Sequence, residues 1–164
     1  EEGRKTAKMV ALSAIKYGDL SNQAAKDYIF DVERFTSFEG NTGPYILYTI
    51  VRIKSILKKY QEQKTLPDRA TILAAHSESE KALMLEISKF NSMMESAFAD
   101  TAPHKVCAYI YDLANAFNHF YHETKILAEQ DEMVQAGYIC LLELTKRALE
   151  ICIEVLGFEA PEKM

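Results

Sequence analysis

The amino-acid sequence predicts an all-α fold, a helical bundle of about five helices. Apolar residues recur at helical spacing through most of the 164 residues. Glycine (6) and proline (4) are scarce, and no segment sustains the alternation of apolar and polar residues that is typical of a strand. The hydrophobic fraction of 48% and the charged fraction of 26% are ordinary for a soluble globular domain.

The first helix is expected from about Arg4 to Leu20, and residues 18–22 weaken its end. Residues 23–43 show no regular period. Within them we expect a short extended piece at residues 28–30 and a helical turn at residues 31–38. This segment is therefore the least regular part of the predicted fold.

The second helix is expected from about Pro44 to Gln61, because proline is favoured in the first turn of a helix. Pro67 then enforces a break, and residues 64–76 are predicted to form a loop.

Three more helices complete the predicted bundle. Ser77 and Glu80 form a capping box, so a third helix starts there and should run to about Ala97. Pro103 opens the fourth helix, whose apolar residues are spaced three and four apart. The fifth helix, from about Glu132 to Leu156, is apolar nearly all round and is expected to be the most buried.

The second helix carries two different faces. Tyr45, Tyr48 and Arg52 lie within roughly 60° of each other at about 100° per residue. A second, apolar stripe lies well away from them and is formed by Ile46, Ile50, Ile53 and Leu57. Two aromatic rings beside a guanidinium suit unstacked bases and phosphate. The alternative is that the tyrosines pack against a neighbouring helix while Arg52 pairs with a surface carboxylate.

The charge of the chain limits the function classes. A net charge of −5 and a pI of about 5.4 count against non-specific nucleic-acid binding, which normally needs a basic face. A local basic cluster nevertheless follows Arg52 and is formed by Lys54, Lys58, Lys59 and Lys64. The sequence therefore permits a specific site and disfavours general binding.

The sequence gives no indication of a metal site, a disulfide or a membrane segment. Its three cysteines lie in apolar helical patterns and are predicted to be buried free thiols. His119 and His122 are three residues apart without further ligands in reach, so surface histidines are expected. No apolar run approaches the ~18 residues needed to cross a bilayer. With no signal peptide apparent, the expected location is the cytoplasm.

Residues 39–52 carry a resemblance to a known family. They contain Glu-Gly-Asn-Thr, then Pro-Tyr-x-x-Tyr-x-x-x-Arg, and this segment resembles the arginyl-tRNA synthetases, which are class I aminoacyl-tRNA ligases. Residues 14–21, 103–121 and 156–164 resemble other segments of the same family in the same order, so the resemblance covers essentially the whole chain.

The resemblance implies an anticodon-binding domain of an arginine–tRNA ligase. Such a domain recognises the anticodon loop of arginine tRNA for ATP-dependent aminoacylation by the catalytic domain of the same parent chain. The ATP-binding His-Ile-Gly-His motif does not appear, so this chain is expected to be non-catalytic and without cofactor, whereas the parent uses ATP with magnesium. Residues 1–22 would be a stem helix that joins the catalytic domain, residues 23–164 the anticodon-binding domain, and the protein a monomer.

The resemblance also implies which residues contact the tRNA. The residues that match Tyr45, Tyr48 and Arg52 lie on the side that receives the anticodon stem–loop. Tyr121 matches a tyrosine that approaches the central anticodon base, and Asn115 occupies a position that points toward the anticodon.

Five residues carry interpretations with alternatives. Met164 matches a final methionine that folds back to the anticodon pocket; the alternative is a frayed end. For Asn115 and Tyr121 the alternatives are a solvated amide and a core tyrosine. Glu39 and Asn41 are interpreted as caps of the second helix, or as residues that hold the turn against the catalytic domain.

A second function class stays open. Composition and periodicity alone favour a helical protein-interaction bundle with no RNA role, because the chain is acidic and shows no reaction chemistry.

Overall fold

The computed structural model describes residues 1–164 and contains only helices and connecting segments, so the predicted all-α class is confirmed. The helices are α1 (Glu2–Leu20), α2 (Val32–Phe35), α3 (Gly43–Gln63), α4 (Glu78–Ser88), α5 (Phe90–Ala99), α6 (Pro103–Glu123) and α7 (Glu132–Val155). A 3-10 turn at Ile126–Ala128 joins α6 to α7. Six of the seven α-helices have ten residues or more, and α2 is a single turn.

Helix α3 lies at the centre of the bundle and contacts α1, α6 and α7. Its apolar stripe is buried as predicted, with Ile46, Ile50 and Ile53 fully inaccessible to solvent. The Thr42 hydroxyl accepts a hydrogen bond from the backbone N–H of Tyr45 and so caps the helix. The interpretation of Glu39 and Asn41 as the caps is therefore wrong, because Thr42 occupies that position.

Helices α6 and α7 provide most of the remaining core. The aromatic rings of Phe117 and Phe120 on α6 are fully buried. Helix α7 ends at Val155, and Gly157 follows with a φ of 81°, a left-handed conformation that favours glycine. This turn places Phe158 back in the core.

The predicted third helix is two helices in the structure, α4 and α5, which are separated at Lys89. The expectation of one continuous helix was wrong. The backbone N–H of Lys89 bonds to the carbonyl of Glu86 three residues earlier, so the regular helical ladder is interrupted there. Both helices pack on α6, with Leu83 of α4 and Ala97 of α5 buried. The break lets two consecutive helices each turn a buried residue toward the same neighbour.

The carboxyl-terminal half of α1 packs on α3 and α6, whereas its amino-terminal half is mostly exposed. Tyr17 is fully buried, and its hydroxyl lies 2.5 Å from Asn41 Oδ1 and 2.9 Å from the carbonyl oxygen of Cys107. The division into a stem at residues 1–22 and a domain at residues 23–164 stays a prediction. The structure shows that the stem shares the core with the rest.

The segment before α3 is irregular, as predicted, and contains the short helix α2 within the expected helical turn. Asp31 caps α2 by accepting from the backbone N–H of Arg34. Phe35 is buried against Gly18 of α1, and Phe30 meets its ring edge-on with the centroids 5.0 Å apart. Residues 28–30 form no regular strand.

The three cysteines are free thiols, as predicted. Cys107 and Cys152 are buried, and burial raises the pKa of each thiol to about 12. Cys140 is only half-buried, so the expectation of full burial does not hold for it. None of the helices combines the length and the hydropathy that a bilayer-spanning segment needs.

Substitution of Gly43 by alanine tests the close approach of α1 and α3. A Cβ atom at Gly43 would overlap the backbone carbonyl of Ser13 in α1, which cannot move without shifting the helix. We expect Gly43→Ala to lower the free energy of unfolding by about 1–3 kcal/mol, as overpacking does in other cores. Urea unfolding followed by circular dichroism measures this change.

The matched control is Gly3→Ala, because a Cβ atom at Gly3 in α1 meets nothing within 4 Å. Alanine there should be neutral or slightly stabilising. Equal stability of Gly43→Ala and the parent chain would contradict the close packing of the two helices.

Candidate nucleic-acid interface

An open cavity of about 540 Å³ lies between α3, α6, the turn before α3 and the carboxyl-terminal segment. Its lining residues are Phe38, Glu39, Tyr45, Tyr48, Arg52, Asn118, His122 and Met164. Four of the six residues selected from the sequence therefore line one cavity. Asn115 and Tyr121 adjoin it through contacts with Tyr45 and Arg52.

The Arg52 guanidinium lies against two aromatic rings. Its carbon is 4.8 Å from the centroid of the Tyr48 ring and 5.3 Å from that of Tyr121. Both are cation–π distances. No carboxylate lies within 4.0 Å of the guanidinium, so its positive charge is not neutralised by an ion pair. The alternative interpretation of Arg52, a surface ion pair, is therefore not what the structure shows.

The two tyrosines of α3 have different environments. Tyr48 is 43% exposed, so a large part of its side chain is accessible from solvent. Tyr45 is half-buried and meets Tyr111 edge-on, with ring centroids 5.9 Å apart. Burial raises the pKa of the Tyr45 hydroxyl, and the hydrogen bond from Asn118 offsets part of this rise. Of the two rings, Tyr48 offers the freer stacking surface.

Asn115 and Tyr121 on α6 contact two residues of α3, Tyr45 and Arg52 respectively. Asn115 is exposed, and its Oδ1 accepts the hydrogen bond of the Tyr45 hydroxyl at 2.8 Å. Tyr121 is partly exposed and stacks on buried Phe117, with ring centroids 6.0 Å apart and an interplanar angle of 24°. Asn115 is not simply a solvated amide, because it has a hydrogen-bond partner within the chain. Tyr121 is not simply a core tyrosine, because its ring reaches the surface.

Asn118 is a residue of this site that sequence reasoning missed. The residue is only 9% exposed, and all three of its side-chain hydrogen bonds are made with residues of α3. A signal was present, since Asn118 follows Tyr111 and Ala114 at helical spacing, on an apolar side of α6. A buried amide needs hydrogen-bond partners from another element. Phe38 and His122, which also line the cavity, carry no comparable signal.

The carboxyl-terminal segment folds back to the cavity. Pro161 is buried, and Glu162 pairs with Lys54 of α3 at 2.6 Å. Lys163 pairs with Glu2 of α1 at 3.1 Å. Met164 then lines the cavity while it remains 43% exposed. The alternative of a frayed end is not what the structure shows.

The ion pair between Lys54 and Glu162, which joins the carboxyl-terminal tail to α3, depends on pH. Burial lowers the pKa of Lys54, but hydrogen bonds to Glu162 and Glu150 outweigh burial and raise it overall. The same hydrogen bond from Lys54 lowers the pKa of the Glu162 carboxyl below its ordinary value. The pair is therefore complete above the ordinary pKa of a glutamate and is lost as the pH falls through the lowered value.

Two of the four lysines in the predicted basic cluster have partners within the chain. Lys54 is occupied by the two carboxylates, and Lys64 donates to Gln135 at 2.8 Å. Lys58 and Lys59 are exposed and form no ion pair.

The side chains at the cavity suit the binding of bases and phosphate. No group of three or more His, Cys, Asp or Glu side chains is placed to hold a metal ion anywhere in the chain. His119 pairs with Glu123 at 3.6 Å on the surface of α6. Aromatic rings, an unneutralised guanidinium and amides instead define a surface that can stack on bases and contact phosphate.

Comparison with known proteins gives the family. The model of the DALR anticodon binding domain matches residues 46–164, and the chain belongs to this family of anticodon-binding domains. The relatives are arginine–tRNA ligases. That of Agathobacter rectalis is 62% identical over 167 residues, covering 99% of this chain and 28% of that protein. That of Alkaliphilus oremlandii is 54% identical over 159 residues, covering 96% of this chain and 27% of that protein.

Solved structures give the same result. The arginyl-tRNA synthetase of Thermus thermophilus superposes with a TM-score of 0.87 at 30% identity, covering 98% of this chain and 27% of that one. The arginyl-tRNA synthetase of Plasmodium falciparum gives a TM-score of 0.82 at 30% identity, covering 98% and 28%. The resemblance predicted from residues 39–52 is confirmed. The chain spans less than a third of the length of these relatives.

Substitution of Lys54 tests whether ion pairs hold the tail at the cavity. We expect Lys54→Gln to release residues 162–164, because Glu162 loses its partner. The methyl NMR signal of Met164 should sharpen and move to the position of a disordered methionine. The other five of the six methionines serve as internal references. Acidification through the lowered pKa of Glu162 should have the same effect in the parent chain.

The control is Lys58→Gln, one turn further along α3, since Lys58 is exposed and unpaired. It should leave the Met164 signal unchanged. A Met164 signal that stays at its folded position in Lys54→Gln would show that burial of Pro161 and the Lys163–Glu2 pair hold the tail without the pair between Lys54 and Glu162.

Proposed function

We propose that this chain binds the anticodon stem–loop of arginine tRNA. Binding would position the tRNA for ATP-dependent aminoacylation by a catalytic domain of the same parent protein, where ATP and magnesium would act. The observation that supports this most directly is the Arg52 guanidinium, which lies unneutralised between two tyrosine rings at an open cavity. The relatives are named arginine–tRNA ligases, and this chain belongs to a family of anticodon-binding domains.

Each residue of the site has a proposed role. Tyr48 stacks on an unpaired base, and Arg52 contacts a phosphate or a base edge. Tyr121 approaches the central anticodon base. Asn115 points toward the anticodon, where an amide can both donate and accept. The thioether of Met164 packs on a base face.

Tyr45 has a different role in this proposal. Because its hydroxyl is tied to Asn115, its main task is to hold that amide in place, and its ring contributes less to stacking than that of Tyr48. The cavity of about 540 Å³ lies in the size range of small-molecule pockets, which is large enough for an unstacked base. We further propose that the parent protein acts as a monomer in the cytoplasm.

A protein-interaction role is the second candidate, and one observation favours it. An apolar groove of about 540 Å³ runs between α5, α6 and the end of α7 and contains Phe98, which is 89% exposed. Exposed apolar surface of this kind marks contact with another protein surface. This candidate predicts no salt-dependent binding of tRNA, and it makes no use of the cavity around Arg52.

Filter binding of the chain to arginine tRNA tests the proposal. We expect binding that weakens as salt rises, because phosphate contacts release counterions. The same tRNA with its central anticodon base changed should bind about 1–3 kcal/mol less tightly, the usual cost of losing a specific base contact.

The two tRNAs share every phosphate, so each is the control for the electrostatic part of binding. Equal affinity for both would contradict recognition of the anticodon. Absence of salt-dependent binding to either tRNA would contradict the RNA role altogether and favour the protein-interaction candidate.

Substitution of Tyr48 by alanine tests the stacking surface. We expect Tyr48→Ala to weaken binding of arginine tRNA by about 1–3 kcal/mol, the usual range for a base stacked on an aromatic ring. The fold should persist, because Tyr48 lies outside the core and is 43% exposed. Filter binding measures the affinity, and circular dichroism checks the helix content.

Phe98→Ala is the matched control, since it removes an exposed aromatic ring from a different surface. It should bind tRNA as the parent chain does. Equal affinities of Tyr48→Ala and the parent would remove Tyr48 from the proposed contact surface.

A further inference from the structure

The hydrogen bonds of Asn118 determine which way its amide points. Its Nδ2 donates to the Tyr45 hydroxyl at 2.9 Å and to the Thr49 hydroxyl at 3.2 Å. Both hydroxyls already use their only proton elsewhere, Tyr45 toward Asn115 Oδ1 and Thr49 toward the carbonyl of Tyr45. They can therefore only accept from Asn118.

The other end of the amide faces Arg52. With Nδ2 directed at the two hydroxyls, Oδ1 of Asn118 accepts from the Arg52 guanidinium at 2.5 Å. Since Asn118 is buried in α6 and its partners lie on one face of α3, the position of this acceptor is fixed by the packing of two helices. The guanidinium is thus held by one hydrogen bond and two aromatic rings.

The acceptor is uncharged, and this has a consequence for the cavity. A carboxylate at this position would form a charge-assisted pair with the guanidinium and neutralise it. An amide oxygen fixes the same group and leaves its net charge in place. Glu39 is the acidic residue that lines the cavity, and it does not reach within 4.0 Å of Arg52.

We infer that Asn118 is a positioning residue of this site: it orients the Arg52 guanidinium between the two tyrosine rings through an uncharged acceptor and so reserves its positive charge for an anionic group of the RNA. The inference rests on the proposed function, and it assigns a role to a residue that does not itself need to touch the RNA. It also explains the choice of asparagine, because aspartate at this position would supply no proton to the Tyr45 and Thr49 hydroxyls.

The test compares Asn118→Asp, Asn118→Ala and Arg52→Gln in binding to an arginine tRNA transcript over a series of salt concentrations. Asn118→Asp retains an acceptor for Arg52 but neutralises it, so affinity should fall about tenfold or more, as for loss of a charged hydrogen bond. Its salt slope should decrease by the roughly 0.7–0.9 expected for one phosphate contact. Arg52→Gln, which removes the charge outright, should show the same decrease.

Asn118→Ala separates orientation from charge. It frees the guanidinium without neutralising it, so affinity should fall while the salt slope stays near that of the parent chain. The double variant Asn118→Ala with Arg52→Gln should bind no more weakly than Arg52→Gln alone, since Asn118 acts on the RNA only through Arg52. Urea unfolding of every variant reports stability separately.

The outcomes divide clearly. Parent affinity and parent salt slope in Asn118→Asp would overturn the inference, and so would losses of affinity that merely follow losses of stability. If Asn118→Asp does not fold, Asn118→Ala and Arg52→Gln decide, and equal salt slopes of these two would overturn it. A parent chain that does not bind the tRNA at any salt concentration would instead overturn the proposed function, and the inference with it.

Discussion

Burial of the isoleucine stripe of α3 is the interaction on which the rest of the structure depends. Ile46, Ile50 and Ile53 are fully inaccessible, and they fix the rotation of α3 about its own axis among α1, α6 and α7. Given about 100° per residue, this rotation directs Tyr48 and Arg52 toward solvent. The packing of the core thus determines which side chains of α3 line the cavity. A change in the packing of α3 would therefore alter the core and the cavity together.

Helical periodicity was sufficient to predict the fold class and most helix positions, because burial of an apolar stripe is a local pattern. It could not predict the break at Lys89, since no glycine or proline marks it and the packing of α4 and α5 on α6 is not visible in a local pattern. Thr42 was not predicted as the cap of α3 for a different reason: several residues of that turn have side chains that can serve as caps.

The candidate site was predictable in part. The helical spacing of Tyr45, Tyr48 and Arg52 indicated a shared face, but the pairing of Tyr45 with α6 depends on residues 70 and 73 positions away. Asn118 shows the limit most clearly, since its role exists only once two helices distant in sequence lie side by side. The resemblance at residues 39–52 supplied what periodicity could not, namely the family.

The positive charge of Arg52, which no ion pair neutralises, contrasts with the net charge of the whole chain, which is −5. A polyanion that approaches most of this surface is repelled over a Debye length, roughly 8 Å at physiological salt. A fixed cation flanked by aromatic rings is a local exception to that repulsion. The acidic body would thus discourage encounters in wrong orientations, and selectivity would begin before any base is in contact.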